Sequence, residues 1–210
     1  MMAYLLMNTC GLEGVVALAA DGVMRVEVLP GRGTSEHLMP AVRRVLEGFK
    51  VGELAGVGVV VGPGSFTGVR VGLSAAKGLC EAGAVGMVAM SRLALVAAAL
   101  GEAEGDVVAL LDGGRGEFYC GVYRGGERVW ERLILREEAD RLVAEGVAVT
   151  CEARVAEVLG ERVRLVREAG AEEMLAMVVA RGKAGDWSDV AAVDANYLRR
   201  TDAEILVHGR

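Results

Sequence analysis

The chain has 210 residues, 53% of them hydrophobic and 25% charged, a composition that excludes a disordered protein and allows one domain or two small ones. The formal net charge is −6 with dispersed basic residues, which argues against a chain that grips nucleic acid unaided. Neither a CxxC pair nor an apolar run of about 20 residues is present, so a zinc ribbon, a disulfide framework and a membrane span are not indicated, and we expect a cytoplasmic protein.

The chain begins with a predicted three-stranded meander. Its strands are the apolar runs 3–8, 14–20 and 23–29. Asp21-Gly22 is typical of a tight hairpin turn between the second and third of them. Apolar residues at helical spacing then predict a helix over 34–49, with Thr34 or Ser35 as N-cap and Pro40 in or near its first turn.

A glycine-rich segment follows the next predicted strand and opens a helix. The strand covers 55–62, the helix runs from Phe66 to Ala82, and a further strand over 84–90 precedes a helix near 93–100. The turn between them, GPGS at 62–65, fits neither a Walker A motif nor a dinucleotide fingerprint nor a GxSxG nucleophile. We therefore expect Ser65 to be a helix N-cap rather than a nucleophile.

The same order of elements then begins again after a candidate linker at 101–106. Strands are predicted at 106–112, 117–123, 128–135 and 147–150, with a Gly125-Gly126 turn between the second and third, and helices near 137–144, 153–159 and 172–181. Two copies of a β-β-β-α-β-α unit are typical of the duplicated ribonuclease-H-like α/β fold of actin, sugar kinases and heat-shock ATPases. We expect two lobes of mixed sheets flanked by helices: 1–103, which carries partner-binding helices, and a smaller lobe, 104–210, whose final segment is a candidate to pack back on the first.

The first turn of each lobe contacts nucleotide phosphates in that architecture, which makes Asn8, Thr9 and Asp112 the candidate nucleotide-binding residues. Magnesium favours carboxylate ligands, and Asp112 supplies one, whereas Asn8 does not. This substitution weakens the site, and turnover by the chain alone is not favoured. The only histidines, His37 and His208, are too far apart in the sequence for a metalloprotease motif, and no metal site is predicted.

Glycines inside the predicted helix 66–82 each cost about 1 kcal/mol relative to alanine, so a packing gain should offset them. Small residues at positions such as Gly68 and Gly72 would let another helix approach closely. That face packs either within its own lobe, against the helix at 34–49, or against another subunit. The candidate interface residues are Leu38, Val42, Val45, Phe49, Gly68, Val69, Gly72, Leu73 and Ala76.

The glycine-rich helix also carries a family resemblance. GPGSFTGVRVGLSAAKGL, at 62–79, resembles the signature of the TsaB/YeaZ family. MNTC at 7–10 is similar to that family's Asp-Thr-Ser turn, and Asn8 departs from its usual aspartate. Weaker similarities occur in the expected order at SEHLMP (35–40), LLDGGRGEFYCGVY (110–123) and YLRRTDAE (197–204).

The resemblance implies a non-catalytic scaffold that binds and activates the TsaD transferase in tRNA threonylcarbamoyladenosine biosynthesis. It implies pairing with TsaD through first-lobe helices, a homodimer through the same surface when TsaD is absent, and a TsaE-like ATPase that joins the assembly. It also implies contact with tRNA only through the complex and no membrane partner. It implies that this chain requires no cofactor of its own, with ATP or ADP as a candidate ligand at the complex interface. The alternative is an ATP-binding enzyme of the actin and sugar-kinase type acting on its own.

Overall fold

The computed structural model of the chain describes residues 2–31 and 33–198. Within that range, two compact units are formed: unit 1 contains 2–92 and 169–196, and unit 2 contains 93–168 and 197–198. Most of the similarity at 197–204, together with His208, lies outside the described residues.

The helices and strands alternate in two similar series. The strands are β1 (Ala3–Asn8), β2 (Gly14–Ala20), β3 (Val23–Leu29), β4 (Leu54–Val60), β5 (Met87–Met90), β6 (Asp106–Gly114), β7 (Glu117–Arg124), β8 (Glu127–Leu135), β9 (Val147–Thr150) and β10 (Val163–Leu165). The helices are α1 (Thr34–Val45), α2 (Phe66–Gly83), α3 (Arg92–Ala98), α4 (Arg136–Glu145), α5 (Ala153–Leu159) and α6 (Ala171–Lys183).

Each unit is built on one five-stranded sheet. The strand order is β3-β2-β1-β4-β5 in unit 1 and β8-β7-β6-β9-β10 in unit 2, so the two sheets share one topology. In each, the first three strands are antiparallel and the last two run parallel to the first. The predicted duplicated ribonuclease-H-like fold is therefore confirmed.

Glycine-containing turns set the hairpins of both sheets. Asp21 and Gly22, between β2 and β3, have φ values of 45° and 81°, and Gly125 and Gly126, between β7 and β8, have values of 56° and 81°. Two successive residues with positive φ are typical of a type I′ turn, whose twist matches that of the flanking strands. These turns are the ones that the sequence predicts.

Helix α1 differs from the sequence prediction at both ends. Its N-cap is Gly33, with φ of 78°, rather than Thr34 or Ser35, and the Thr34 hydroxyl instead donates to the carbonyl oxygen of Pro30 at 3.3 Å. It ends at Val45, so Phe49 lies beyond the helix, and Pro40 lies within its interior. Sequence analysis also did not predict β10, because a strand of three residues carries too little pattern.

Packing assigns α3 to unit 2. Leu93 and Val96 share a buried cluster with Ala109 and Leu111 of β6. The two units therefore divide at residues 92 and 93, before the boundary at 103 and 104 that the linker indicated, and the later segment 169–196 belongs to unit 1.

Helix α6 covers one face of the unit 1 sheet. That face carries Asn8 of β1, whose side chain contacts Met174, and Gly58 of β4, where a Cβ atom would meet Val178. Helices α1 and α2 pack against the same sheet, α1 on β2 and β3 and α2 mainly on β4. In the described part of the chain, no helix is long and apolar enough to cross a membrane.

The segment after α6 covers the β5 edge of this sheet. Ser188 forms a bridge to Met87 through an N–H···O bond of 2.8 Å, and the N–H of Ala89 donates to the Ser188 hydroxyl at 3.0 Å. The guanidinium of Arg181 donates to the Ala89 carbonyl oxygen at 2.8 Å. The polar backbone of β5 is thereby paired within unit 1.

Candidate functional site

The β1–β2 turn uses the side chain of Asn8 inside unit 1. Asn8 is 7% exposed, and its Oδ1 atom accepts a hydrogen bond from the N–H of Cys10 at 3.1 Å. Its Nδ2 atom lies 3.8 Å from the sulfur of Met174 on α6. A neutral amide suits this position because a carboxylate buried against a thioether would lose its hydration without gaining a cation.

Thr9 binds α2 rather than facing solvent. It is 3% exposed, and its hydroxyl donates to the carbonyl oxygen of Gly68 at 2.7 Å. A Cβ atom at Gly68 would collide with the Thr9 carbonyl oxygen, and one at Gly72 would collide with the Thr9 hydroxyl. The atoms nearest to these glycines therefore belong to the β1–β2 turn rather than to a neighbouring helix.

The glycine-rich turn before α2 is also occupied by the chain itself. The N–H of Ser65 donates to the Cys10 carbonyl oxygen at 3.0 Å, and a Cβ atom at Gly64 would collide with that same oxygen. Ser65 accepts a hydrogen bond from the N–H of Gly68 at 3.2 Å, which confirms it as the N-cap of α2. Since the N–H groups of Ser65 and Gly68 have partners within the chain, these two are not presented to a phosphate as those of a P-loop are.

Asp112, in unit 2, is exposed and lies at an irregular point of the β6–β7 pairing. Its Oδ1 atom accepts from the N–H of Gly114 at 2.7 Å, and its own N–H donates to Glu152 Oε2 at 2.7 Å. Sequence analysis did not single out Glu152, although its place just after β9, a strand parallel to β6, could have indicated it. No group of three or more potential metal ligands is found among the described residues.

Most of the predicted interface side chains lie in the core of unit 1. Leu38, Val42, Val45, Val69, Leu73 and Ala76 are all 5% exposed or less. Phe49 is partly buried, and the Arg25 guanidinium lies 5.6 Å from its ring centroid. A docking surface on α1 and α2 must therefore use the outward residues of these helices.

Two large apolar side chains point outward from those helices and were missed by the sequence analysis. Met39 of α1 is 49% exposed and Phe66 of α2 is 52% exposed. The guanidinium of Arg70 stacks over the Phe66 ring, 3.7 Å from its centroid. The helical period could have indicated that Met39 is exposed. Met39 directly follows the buried residue Leu38 and therefore points to a different side of the helix.

Burial lowers the reactivity of the cysteine thiols. Cys10, Cys80 and Cys120 are buried, Cys151 is partly buried, and none forms a disulfide. Desolvation raises the pKa of Cys80 to about 11 and that of Cys120 to about 12. Neither thiol is suited to act as a nucleophile near neutral pH.

The chain is similar to a known protein family and to two characterised bacterial proteins. Residues 28–144 match the family model described as TsaD, tRNA N6-adenosine threonylcarbamoyltransferase. The chain is 28% identical to the tRNA threonylcarbamoyladenosine biosynthesis protein TsaB of Escherichia coli, over 96% of each chain. It is also 28% identical to TsaB of Bacillus subtilis, over 63% of this chain and 60% of that relative.

Two solved structures from Pseudomonas aeruginosa share the fold. One, described as similar to the peptidase YeaZ, superposes with a TM-score of 0.75 at 24% identity and covers 95% of this chain and 100% of its own. The other, YeaZ, has a TM-score of 0.71 at 24% identity over 94% of this chain and 100% of its own. The shared topology extends across both units.

Proposed function

The chain belongs to the TsaD family and within it to TsaB/YeaZ, and from that premise we propose that it is the scaffold subunit that binds and activates a TsaD-like transferase. Its relatives named TsaB are proteins of tRNA threonylcarbamoyladenosine biosynthesis, and this chain takes part in that biosynthesis. A TsaE-like ATPase joins the assembly, tRNA is contacted through the complex, and ATP or ADP binds at the complex interface.

The observation that carries the non-catalytic part of this proposal is the state of the β1–β2 turn. In a nucleotide-hydrolysing protein of this fold, the turn must present side chains to a phosphate or a hydrated metal ion. Here Asn8 is buried against Cys10 and Met174, and the Thr9 hydroxyl is bonded to α2. Contact of the Asn8 or Thr9 side chain with a phosphate would require these contacts to break first.

The surface proposed for TsaD is the outward side of α1 and α2. Met39 and Phe66 supply exposed apolar area, and Arg70 stacked on Phe66 adds a cation held by an aromatic face. Aromatic and arginine side chains are the residues that most often dominate the affinity of a protein interface. The buried residues of the same helices hold this surface in shape and do not contact the partner.

Co-purification and titration with TsaD test the proposal. Phe66→Ala and Met39→Ala should each weaken binding about tenfold or more, the loss typical of a central interface residue. Val158→Ala is the matched control, because Val158 is 43% exposed on α5 of unit 2. Wild-type affinity in both helix variants, or an equal loss in the control, would contradict the proposed surface.

An ATPase assay tests the scaffold role itself. The pure chain with ATP and Mg²⁺ should show no turnover above that of the Asn8→Ala variant. Turnover that is abolished by Asn8→Ala and unaffected by added TsaD would instead support an independent ATP-using enzyme.

A further inference from the structure

A cavity of about 590 Å³ lies in unit 1, between the C-terminal end of α6 and the β2–β3 hairpin. Its walls come from β1, β2, β3, the turn that joins β2 to β3, and α6. Small-molecule sites have volumes of roughly 300–1,000 Å³ and are largely apolar, with a few polar groups that fix the ligand. Tyr4 lines the cavity near the start of β1, whereas Asn8 ends that strand, so the cavity is separate from the β1–β2 turn.

The floor of the cavity is a row of three side chains on one face of the sheet. Tyr4 of β1 lies opposite Ala19 of β2, and Ala19 lies opposite Met24 of β3. Side chains of directly opposed residues project from the same face. It is the face that α6 covers, because Tyr4 alternates in phase with Asn8, whose side chain contacts Met174. The short side chain of Ala19 therefore leaves a depression between two larger neighbours.

The last turns of α6 form one wall of the cavity, and its mouth is apolar. Val179 and Lys183 are four residues apart and so lie on one side of the helix. At the mouth, Met2, Val23 and Met24 are 60%, 60% and 45% exposed. A bound molecule with an apolar body would remove part of this surface from water.

The Tyr4 hydroxyl is a buried polar group that opens into this cavity. Tyr4 is 4% exposed, and among the described residues its hydroxyl has no hydrogen-bond partner. In that same part of the chain, no side-chain nitrogen or oxygen is fully enclosed without a partner, so the hydroxyl reaches the cavity rather than sealed space. The ring is held beside Gly182, where a Cβ atom would collide with it. A ligand with a polar atom at this point would supply the missing hydrogen bond.

Two side chains of opposite charge also line the cavity. Lys183 contributes an ammonium group from the end of α6, and Asp21 contributes a carboxylate from the β2–β3 turn, where its φ is 45°. Within the described ranges, neither side chain forms an ion pair or a hydrogen bond. A simple acid would be attracted by Lys183 and repelled by Asp21, and a simple amine the reverse. Only a ligand that carries both charges satisfies both residues.

We propose that this cavity binds an α-amino acid with a large apolar side chain. Lys183 and the Tyr4 hydroxyl donate to its carboxylate, and Asp21 accepts from its ammonium group. The apolar side chain lies over Ala19 and against Met24, whose thioether packs favourably with an aromatic ring. The cavity is lined by neither α1 nor α2, so the inference does not rest on the proposed function.

Isothermal titration calorimetry of the full-length chain with four probes tests the class of ligand. L-phenylalanine should bind, whereas L-phenylalaninamide, which lacks the carboxylate, and N-acetyl-L-phenylalanine, which lacks the ammonium group, should each bind about tenfold more weakly or less. Glycine, which lacks the apolar body, should show no binding. The proposal is overturned if L-phenylalanine fails to bind at about 10 mM, or if either blocked analogue binds as tightly as the free amino acid.

Variants that each remove one polar group assign the contacts. Lys183→Met should weaken binding of L-phenylalanine about tenfold and leave that of the amide unchanged. Asp21→Asn, which keeps a residue suited to positive φ, should weaken L-phenylalanine similarly and spare the N-acetyl analogue. Tyr4→Phe should weaken L-phenylalanine as well.

Lys50→Met is the matched control, because Lys50 is exposed and lies outside the cavity. It should bind L-phenylalanine like the wild type. Unchanged affinity for L-phenylalanine in all three cavity variants, or an equal loss in the control, would show that the amino acid binds elsewhere and would overturn the proposal. Circular dichroism of each variant checks that its fold is retained.

Discussion

The Thr9 hydroxyl donates to the carbonyl oxygen of Gly68 at 2.7 Å and thereby ties the β1–β2 turn to the first turn of α2. The same threonine fills the space in which side chains at Gly68 and Gly72 would lie. Gly68 and Gly72 of α2 are thus explained by a close approach within unit 1, and this relationship makes specific predictions about stability.

Gly72→Ala should destabilise the protein by about 1–3 kcal/mol, because the new methyl group overlaps the Thr9 hydroxyl in a packed core. Gly78→Ala is the matched control on the same helix, since a Cβ atom there meets nothing within 4 Å. It should stabilise the protein by about 0.5–1 kcal/mol through helix propensity. Urea denaturation measures both, and equal effects of the two substitutions would contradict this account.

Thr9→Ala should change the cost of Gly72→Ala. Removing the hydroxyl loses its hydrogen bond but also removes the atom that the new methyl group meets. The double variant should therefore be more stable than the sum of the single losses predicts, with a coupling of about 0.5–3 kcal/mol. Additive losses in a double-mutant cycle would show that the two positions do not meet.

Asn8→Asp should destabilise the protein at neutral pH by about 1–3 kcal/mol, because a charged group would replace a buried amide. Desolvation raises the folded-state pKa of a buried carboxyl above its unfolded value. The folded state then binds more protons, so the penalty grows as pH rises past the unfolded pKa and is relieved in acid. Unfolding free energies at pH 5 and pH 8, with Asn8→Ala as the pH-independent control, measure this difference.

Thiol labelling should follow burial. With Ellman's reagent at pH 8, Cys151 should react first, because it alone of the four cysteines is not fully buried. Cys80 and Cys120 should react only on unfolding, since burial raises the pKa of each thiol well above this pH. Cys151→Ser should remove the fast phase, and a fast phase that persists in this variant would contradict the prediction.

Trp187→Ala should destabilise unit 1 by about 2 kcal/mol. The indole ring occupies the space beside Gly56 and Gly86, where any side chain would meet it, although the residue is 40% exposed. Trp187→Phe should lose less, because a smaller ring still covers part of the same surface. Thermal unfolding followed by circular dichroism compares the stabilities of the variants. A loss of stability no greater for alanine than for phenylalanine would contradict a packing role for the aromatic ring.

Local signals predicted most of the fold. The strands 3–8, 14–20 and 23–29 and both hairpin turns agree with the structure, because alternation and turn chemistry act between neighbouring residues. The partner of the α2 glycines was not predictable in the same way. Thr9 and Gly68 are 59 positions apart, and the spacing of small residues shows that something approaches a helix without showing what it is. Periodicity alone also could not show whether Val42 and Leu73 pack within unit 1, where the structure buries them, or against another subunit.

The position of α6 in the chain determines when one face of the unit 1 sheet can be covered during synthesis. Unit 1 begins at the N-terminus, yet the helix that covers its Asn8 face is made only after all of 93–168 has been translated. During elongation the nascent sheet therefore holds an apolar face uncovered, while the contiguous part of unit 2 is already complete. We expect a ribosome-bound chain that stops before residue 171 to recruit chaperones to this face, and a longer chain that includes α6 to release them.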